Sequence, residues 1–380
     1  MSRATGVNTA GAGRGLIILC KWPLNQLPPV VTVALVMSKL VQGVTIVCLA
    51  CPPRLREILA SAGVEVVAVE PTDRGFHVGK WARLVQWLRF HQVACDALRS
   101  APHSIVWLGS GDTALAIGHG ALRGRHFVLH LHELYDNNWF YRALLGWFAR
   151  RASCVVVPEA SRGAILRGWF SLRRSPKVFP NKPAFHPESR GQPIGRLVPE
   201  HIARELQRRD MKIVLYQGHI GHKRDLSTLA QAVTKLGAPW RLVLMGYDHD
   251  SYVPELQRLC PNLIHVAHID PPEHLGVTSW AYVGAVSYSH ASLNNIFCAP
   301  NKIWEYTGFG IPVIGNDLPG LVNTVAANGA GMCVDWDEPD KIVRGLRSLD
   351  DNYAKFSGRA KQFFESCDLP QIADSILNAA

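Results

Sequence analysis

The feature that most constrains this chain is a repeated alternation of short apolar runs with stretches long enough for a helix. In the first half the runs occupy 15–20, 44–49, 64–69, 104–108, 127–131 and 154–157. In the second half they occupy 212–216, 241–245, 263–267, 283–287, 312–315 and 331–334. A strand that is apolar at nearly every position is covered on both faces. Such strands, separated by helices, read as βαβ units with right-handed crossovers and hence as parallel sheets layered between helices. The alternation breaks once, between Pro180 and Pro199. There the run Pro180-Asn-Lys-Pro-Ala-Phe-His-Pro-Glu-Ser-Arg-Gly-Gln-Pro193 has the prolines and polar side chains of a linker. A short helix over 200–209 follows, and the alternation restarts.

The expected fold class is therefore α/β, with two Rossmann-like doubly wound parallel-sheet domains facing a cleft. Ligands of such sheets bind beyond the carboxyl ends of the strands. The boundaries read as a disordered tail at 1–13, a first domain at 14–185, a second at 186–350, and C-terminal helices at 351–380 that can cross back to the first domain. A length of 380 residues suits this count.

Charge separates the two halves. Residues 1–185 hold 22 Lys and Arg against 9 Asp and Glu, whereas 186–380 hold 18 against 21. A basic half faces anionic lipid, a phosphate-bearing acceptor or nucleic acid. Without a zinc-finger, RRM or helix-turn-helix signature, nucleic acid is not expected as a partner. The longest apolar run, 27–37, is too short to span a bilayer, and the polar, Gly-rich residues 1–13 lack the apolar core of a signal peptide. The expected location is the cytoplasm. Nine cysteines lack framework spacing, and the lone Cys48/Cys51 CxxC pair reads as buried free thiols of a reducing compartment.

Two constellations carry chemistry. The first is Tyr216-Gln-Gly-His-Ile-Gly-His-Lys-Arg-Asp. Gly218 and Gly221 keep the loop after a strand free of bulk. Lys223 and Arg224 come at or just before a helix expected over 225–236. Amides of a helix N-terminus with two adjacent cations suit a phosphate; the plainer alternative is a solvated Lys-Arg pair beside an Asp cap. The second is Asn294-Asn-Ile-Phe-Cys-Ala-Pro300-Asn-Lys-Ile-Trp-Glu305-Tyr-Thr-Gly308-Phe-Gly310. Pro300 suits a first helical turn, and Gly308 or Gly310 a helix end. Asn301 and Glu305, four apart, share a face. A carboxylate there can accept both hydroxyls of a ribose, or it can pair with Lys302 on a wet face.

In this order and about 80 residues apart, the two constellations resemble the donor-binding domain of the GT-B glycosyltransferases, especially family 4, the retaining group-1 enzymes. The strand-end Leu242–Gly246, the run Pro300–Ile314 and the Asp317–Gly320 turn complete the match, over roughly residues 212–335. The resemblance implies that Arg224, with Lys223 beside it, neutralises the donor diphosphate. Glu305 binds the ribose. Asn301, Lys302 and Asn295 face the phosphate or donor sugar together with the Gly218–His219 loop, and Gly246 and Tyr247 border the base. It also implies retention of configuration. No metal ion or other cofactor is expected, since Lys223 and Arg224 can supply the charge and Asp248-His-Asp250 reads as an isolated surface turn rather than a cation site. Two positions depart from the family pattern. Phe297 stands eight before Glu305, where a first carboxylate is usual, and His219 stands where an arginine is common.

The first half offers Leu129-His-Leu-His132-Glu133-Leu-Tyr-Asp136 at a strand end. Relatives place a His with an acidic neighbour there, so His132 is expected to contact the donor sugar, with Glu133 on the acceptor side. His130 is expected on the opposite face. Lys21-Trp-Pro-Leu-Asn25-Gln26 replaces the family's Gly-Gly loop, making Asn25 and Gln26 acceptor-side candidates. The basic-aromatic stretches 80–90 and 139–151 suit an anionic membrane surface. In the first of these, Leu84 and Leu88 are expected on the core face, with Trp87 and Phe90 elsewhere.

The resulting expectation is a peripheral, inner-face enzyme transferring sugar from a nucleotide-diphosphate sugar to a glycan or lipid-linked acceptor, in surface polysaccharide or glycolipid synthesis. The alternatives are a nucleotide-sugar epimerase and a non-catalytic membrane-associated relative. A dehydrogenase is disfavoured, since no GxGxxG follows the first strand.

Overall fold

Two parallel sheets organise the chain. The computed structural model describes residues 15–69 and 80–380; the expected tail at 1–13 lies outside them. The first sheet comprises β1 (Leu16–Cys20), β2 (Val44–Cys48), β3 (Val64–Ala68), β4 (Ile105–Leu108), β5 (Phe127–His130), β6 (Cys154–Val157) and β7 (Lys177–Val178), in the order β3-β2-β1-β4-β5-β6-β7. The second comprises β8 (Lys212–Gln217), β9 (Trp240–Met245), β10 (Ile264–Val266), β11 (Val283–Val286), β12 (Val313–Asn316) and β13 (Gly331–Val334), in the order β10-β9-β8-β11-β12-β13. Both are doubly wound. The chain steps outward from a central strand, then returns to its other side, so β1 pairs with β4 and β8 with β11. At that reversal the following loops diverge to opposite faces and leave a crevice at the carboxyl edge.

Every residue of β1, β4, β5 and β6 is buried, as two-sided coverage requires. The chain divides into two compact units, 1–184 with 368–380, and 185–367. The segment 351–380 is shared between them. The helix Tyr353–Glu365 lies in the second unit, while Leu369–Leu377 lies in the first and packs on the helix Pro28–Met37.

Several local expectations need correction. The edge strand β7 has only two residues, too few for a periodic signal. In the helix Lys80–Ser100, Leu84 and Leu88 are 41% and 53% exposed, whereas Phe90, Ala94 and Leu98 are buried. The core stripe is thus the 90/94/98 series, and a helix apolar on several sides does not reveal its inner face by periodicity. His130 does not turn away from His132: their ring centroids lie 3.9 Å apart. Residues two apart on an extended chain share a face.

Tyr306, fully buried, donates its hydroxyl to the Leu215 carbonyl at 2.9 Å, pinning the helix Asn301–Gly308 to β8. Its ring fills the space above Gly284, where an added Cβ would sit 2.2 Å from a ring carbon. Gly284→Ala should therefore cost about 1–3 kcal/mol through overpacking, read as a lower urea midpoint with unchanged slope.

Candidate functional site

The second unit's site is built where β8 ends. Gly218 follows β8 with φ +124° and Gly246 follows β9 with φ +154°. A Cβ on Gly246 would lie 1.7 Å from the Gly218 carbonyl oxygen, so only glycine lets these loops touch. The chain then makes a single tight turn, His222–Arg224, before the helix Ser227–Leu236. That helix starts two residues later than its sequence suggests. Asp225 accepts from the Ser227 amide at 3.0 Å and from the Ser227 hydroxyl at 2.6 Å, closing a local turn just ahead of the helix. The helix amide at Ser227 is thus already taken, and the cations of the turn become the main anion-binding groups.

Arg224 lies over Tyr288, its guanidinium carbon 3.8 Å from the ring centroid. Tyr288 follows β11, so the pair joins the two loops that diverge at the sheet reversal. Nη1 of Arg224 is buried without a hydrogen-bond partner. Leaving a buried charged donor unmade costs free energy that an incoming acceptor would recover. Lys223, by contrast, is exposed.

Lys302 and Glu305 come from the helix Asn301–Gly308. The Lys302 ammonium lies 4.1 Å above the Tyr216 ring and close to Gly218. Burial, with the Arg224 charge beside it, pulls its pKa down to about 7. Glu305, one turn on, has a side chain only 14% exposed. It does not pair with Lys302. Gln217 donates its amide to Oε2, and His274 Nε2 lies 3.3 Å from Oε1. The Thr278 hydroxyl donates to Gln217 Oε1 at 2.8 Å and fixes the amide. Burial pushes the Glu305 pKa up, but His274, Lys302 and Gln217 outweigh it and hold it below the ordinary value. A carboxylate has about four lone-pair sites, so two bonds leave it able to accept more.

The other second-unit candidates occupy different settings. Asn301 is partly buried at the start of its helix. Asn295 donates to the Ser289 hydroxyl at 2.8 Å. His219 stacks on His249 at 4.3 Å, and burial and that neighbour lower its pKa, leaving it neutral at pH 7. Tyr247, 57% exposed, stacks on His268 at 4.1 Å. Asp248 caps the helix Val253–Leu259 through the Tyr252 and Val253 amides, and Asp250 accepts from the His222 amide. Among the described residues no group of three or more His, Cys, Asp or Glu side chains is placed to hold a metal ion.

The first-unit candidates gather at the carboxyl edge of its own sheet. His132 is buried, with Nε2 3.1 Å from the Gly109 carbonyl. That acceptor requires the proton on Nε2, leaving Nδ1 a bare acceptor, buried and without a partner. Burial and the Arg162 charge pull its pKa down to about 4, so the ring is neutral at pH 7. Arg162, itself buried, donates to the His132 carbonyl and lies 3.6 Å from Glu133. Asn25 Oδ1 is buried without a partner, and Gln26 is exposed.

Sequence reasoning did not single out His274, Thr278 or Tyr288. Gln217 was visible inside the Tyr216–Gly218 motif, but the others come from segments with no local signal and are recruited only by folding.

No family model and no curated protein matches this sequence. Solved structures do match. The chain superposes on HepE of Anabaena, crystallised with UDP and glucose, with a TM-score of 0.70 and 14% identity over 96% of this chain and 98% of that one. The fold is GT-B-like. Sucrose-phosphate synthase of Thermosynechococcus elongatus matches at 0.66 and 16%, over 96% and 97% of the two chains. An enzyme described as a UDP-N-acetylglucosamine 2-epimerase from Listeria monocytogenes matches at 0.58 and 13%, over 96% and 95%.

The Lys302 setting has a pH consequence. A lysine whose folded pKa is lowered destabilises the fold most fully below pH 7, and that cost fades as pH rises toward the ordinary value of about 10.4. Lys302→Met should therefore be more stable than the parent at pH 7, and the difference should shrink toward pH 10. Urea unfolding of both proteins across that range gives the comparison.

Proposed function

We propose that this chain is a glycosyltransferase that moves a sugar from a nucleotide-diphosphate sugar to a glycan or lipid-linked acceptor, in surface polysaccharide or glycolipid synthesis. The observation that carries this reading is the Arg224 guanidinium, over the Tyr288 ring with a buried nitrogen lacking an acceptor, beside Lys302, whose charged form burial disfavours. Lys302 sits beside Gly218, one helical turn before Glu305. A diphosphate supplies the missing acceptor and favours the charged form of Lys302. Glu305 is oriented to take ribose hydroxyls. HepE bound to UDP and glucose supports a uridine donor as the first to try.

In the proposed reaction the bond from the anomeric carbon to the diphosphate breaks, and its electron pair leaves with the phosphate oxygen. The acceptor hydroxyl oxygen bonds that carbon, on the retained face, and its proton passes to the leaving phosphate. The demand on the protein is stabilisation of charge growing on the diphosphate. Preorganised cations meet it without reorganising, so the reading is metal-independent, with Lys223 at the solvent side of the turn. His132 contacts the transferred sugar by trading the Gly109 carbonyl for a sugar hydroxyl, and Glu133, Asn25 and Gln26 serve the acceptor. The fold is shared with the Listeria epimerase structure, so epimerisation is the second reading; turnover of donor with no acceptor present would favour it.

The first unit is proposed to lie on the inner face of an anionic membrane. No helix among the described residues is long and apolar enough to cross one. Trp81, Val85 and Leu88 of one helix and Trp139 and Phe140 of another are exposed, Trp81 by 81% and Trp139 by 73%. Between residues 80 and 95 every charged residue is Lys or Arg, as it is between 139 and 151. Aromatic rings with cations and no carboxylate suit an anionic interface.

Two measurements test these readings. Arg224→Ala and Glu305→Ala should each weaken binding of a nucleotide-diphosphate sugar by more than about 1.5 kcal/mol, the worth of a hydrogen bond to a charged group. Calorimetric affinities equal to the parent's would sink the site. The double variant Trp81→Ala/Trp139→Ala should lose co-flotation with phosphatidylglycerol vesicles while binding nucleotide sugar unchanged.

A further inference from the structure

The first unit carries a second concentration of charge at the opposite end of its strands. A groove of about 590 Å³ opens at the amino edge, where β6 begins at Cys154 and β7 at Lys177. Its walls include the cations Arg150, Arg173, Arg174 and Lys177 and the hydroxyls of Ser171 and Ser175, and no lining residue has a carboxylate side chain. Among the described residues none of the four cations has a carboxylate within ion-pair distance. Arg150 gives one N–H to the Phe170 carbonyl at 3.3 Å and keeps its other donors free. Ser175 accepts from Arg167 at 2.8 Å, which leaves its own proton to donate.

Part of this charge has a structural use. The helices Trp139–Ala149 and Ala160–Phe170 both end here. Each C-terminus carries roughly half a negative charge. Together they offset about one of the four cations. Over residues 149–177 there are seven Lys and Arg and a single acid, Glu159. That acid is committed at the other edge, where it caps the helix Ala160–Phe170 through the Ser161 and Arg162 amides. Apart from the terminal carboxylate next to Ala379, which also lines the groove, the excess has no carboxylate partner there. Guanidinium groups beside hydroxyl donors match phosphate oxygens, which they bind in pairs. A volume of this size is that of a small-ligand site.

We propose that this groove binds a ligand bearing phosphate groups, at a site separate from the Arg224 loop of the second unit. The phosphate comes from a free diphosphate or from the headgroup of an anionic lipid. The inference does not rest on the donor assignment, since it concerns different residues in the other unit.

The test uses the full chain and two probes, inorganic pyrophosphate and short-chain phosphatidic acid soluble as a monomer. Each is titrated against the parent, against Arg224→Ala, and against Arg173→Ala/Arg174→Ala/Lys177→Ala. The triple variant should lose at least about tenfold in affinity for one probe, the effect of removing charge-assisted hydrogen bonds, while Arg224→Ala keeps that binding. The affinity should fall as salt is raised. Loss with pyrophosphate identifies a free phosphate ligand, and loss confined to phosphatidic acid identifies a headgroup. Unchanged affinity for both probes overturns the proposal. The replaced side chains are exposed, so an unchanged thermal midpoint will show that folding is intact. Arg174→Gln alone gives a second reading should the triple variant unfold.

Discussion

The second unit is organised around a charge imbalance that the fold leaves unresolved. Glu305 acts on Lys302 one helical turn away, yet its oxygens are bonded to Gln217 and His274. Its negative charge steadies Lys302 at a distance without forming an ion pair with it. Arg224 keeps a buried nitrogen without an acceptor, and Lys302 holds its proton only weakly at neutral pH. Such an arrangement costs stability in the empty protein, and an anion placed in the loop returns it. Strain of this kind is what a binding site looks like before its ligand arrives.

That imbalance depends on backbone geometry more than on the charges themselves. Gly246 and Gly218 meet at a distance no other residue permits, and this contact directs the chain after β8 into its tight turn. Tyr306, bonded to the Leu215 carbonyl, locks the helix that carries Lys302 and Glu305 against the same strand. The Thr278–Gln217–Glu305 chain of hydrogen bonds then fixes the carboxylate. The Tyr306–Leu215 and Thr278–Gln217 bonds are buried and so costly to break, and the cations are held near one another by a frame that does not itself satisfy them.

The first unit repeats the topology with a different edge chemistry. Its carboxyl edge has a neutral histidine, His132, whose environment keeps it uncharged, backed by the fully buried His130 and by Arg162. Its amino edge gathers unpaired cations at the ends of two helices. The same fold thus presents one end of its strands as a neutral hydrogen-bonding surface and the other as a cationic one. The reason is simple: helix C-termini and amino-edge loops attract cations, whereas the carboxyl edge receives the loops between strand and helix.

How much of this was legible in the primary structure follows from range. Continuous apolar runs and their helix-length spacing determined two parallel, doubly wound sheets, because burial on both faces of a strand is written locally. The glycines after β8 and the Pro300 helix start were also readable, since each depends on neighbours within a turn. Tertiary structure alone decided the rest. The inner face of the helix Lys80–Ser100 was set by which side met the sheet, not by its own pattern. Tyr288, His274 and Thr278 entered the site from distant segments with no motif of their own. A residue's partner across a fold is chosen by packing and unsatisfied polar groups, and neither quantity exists until the chain has closed on itself.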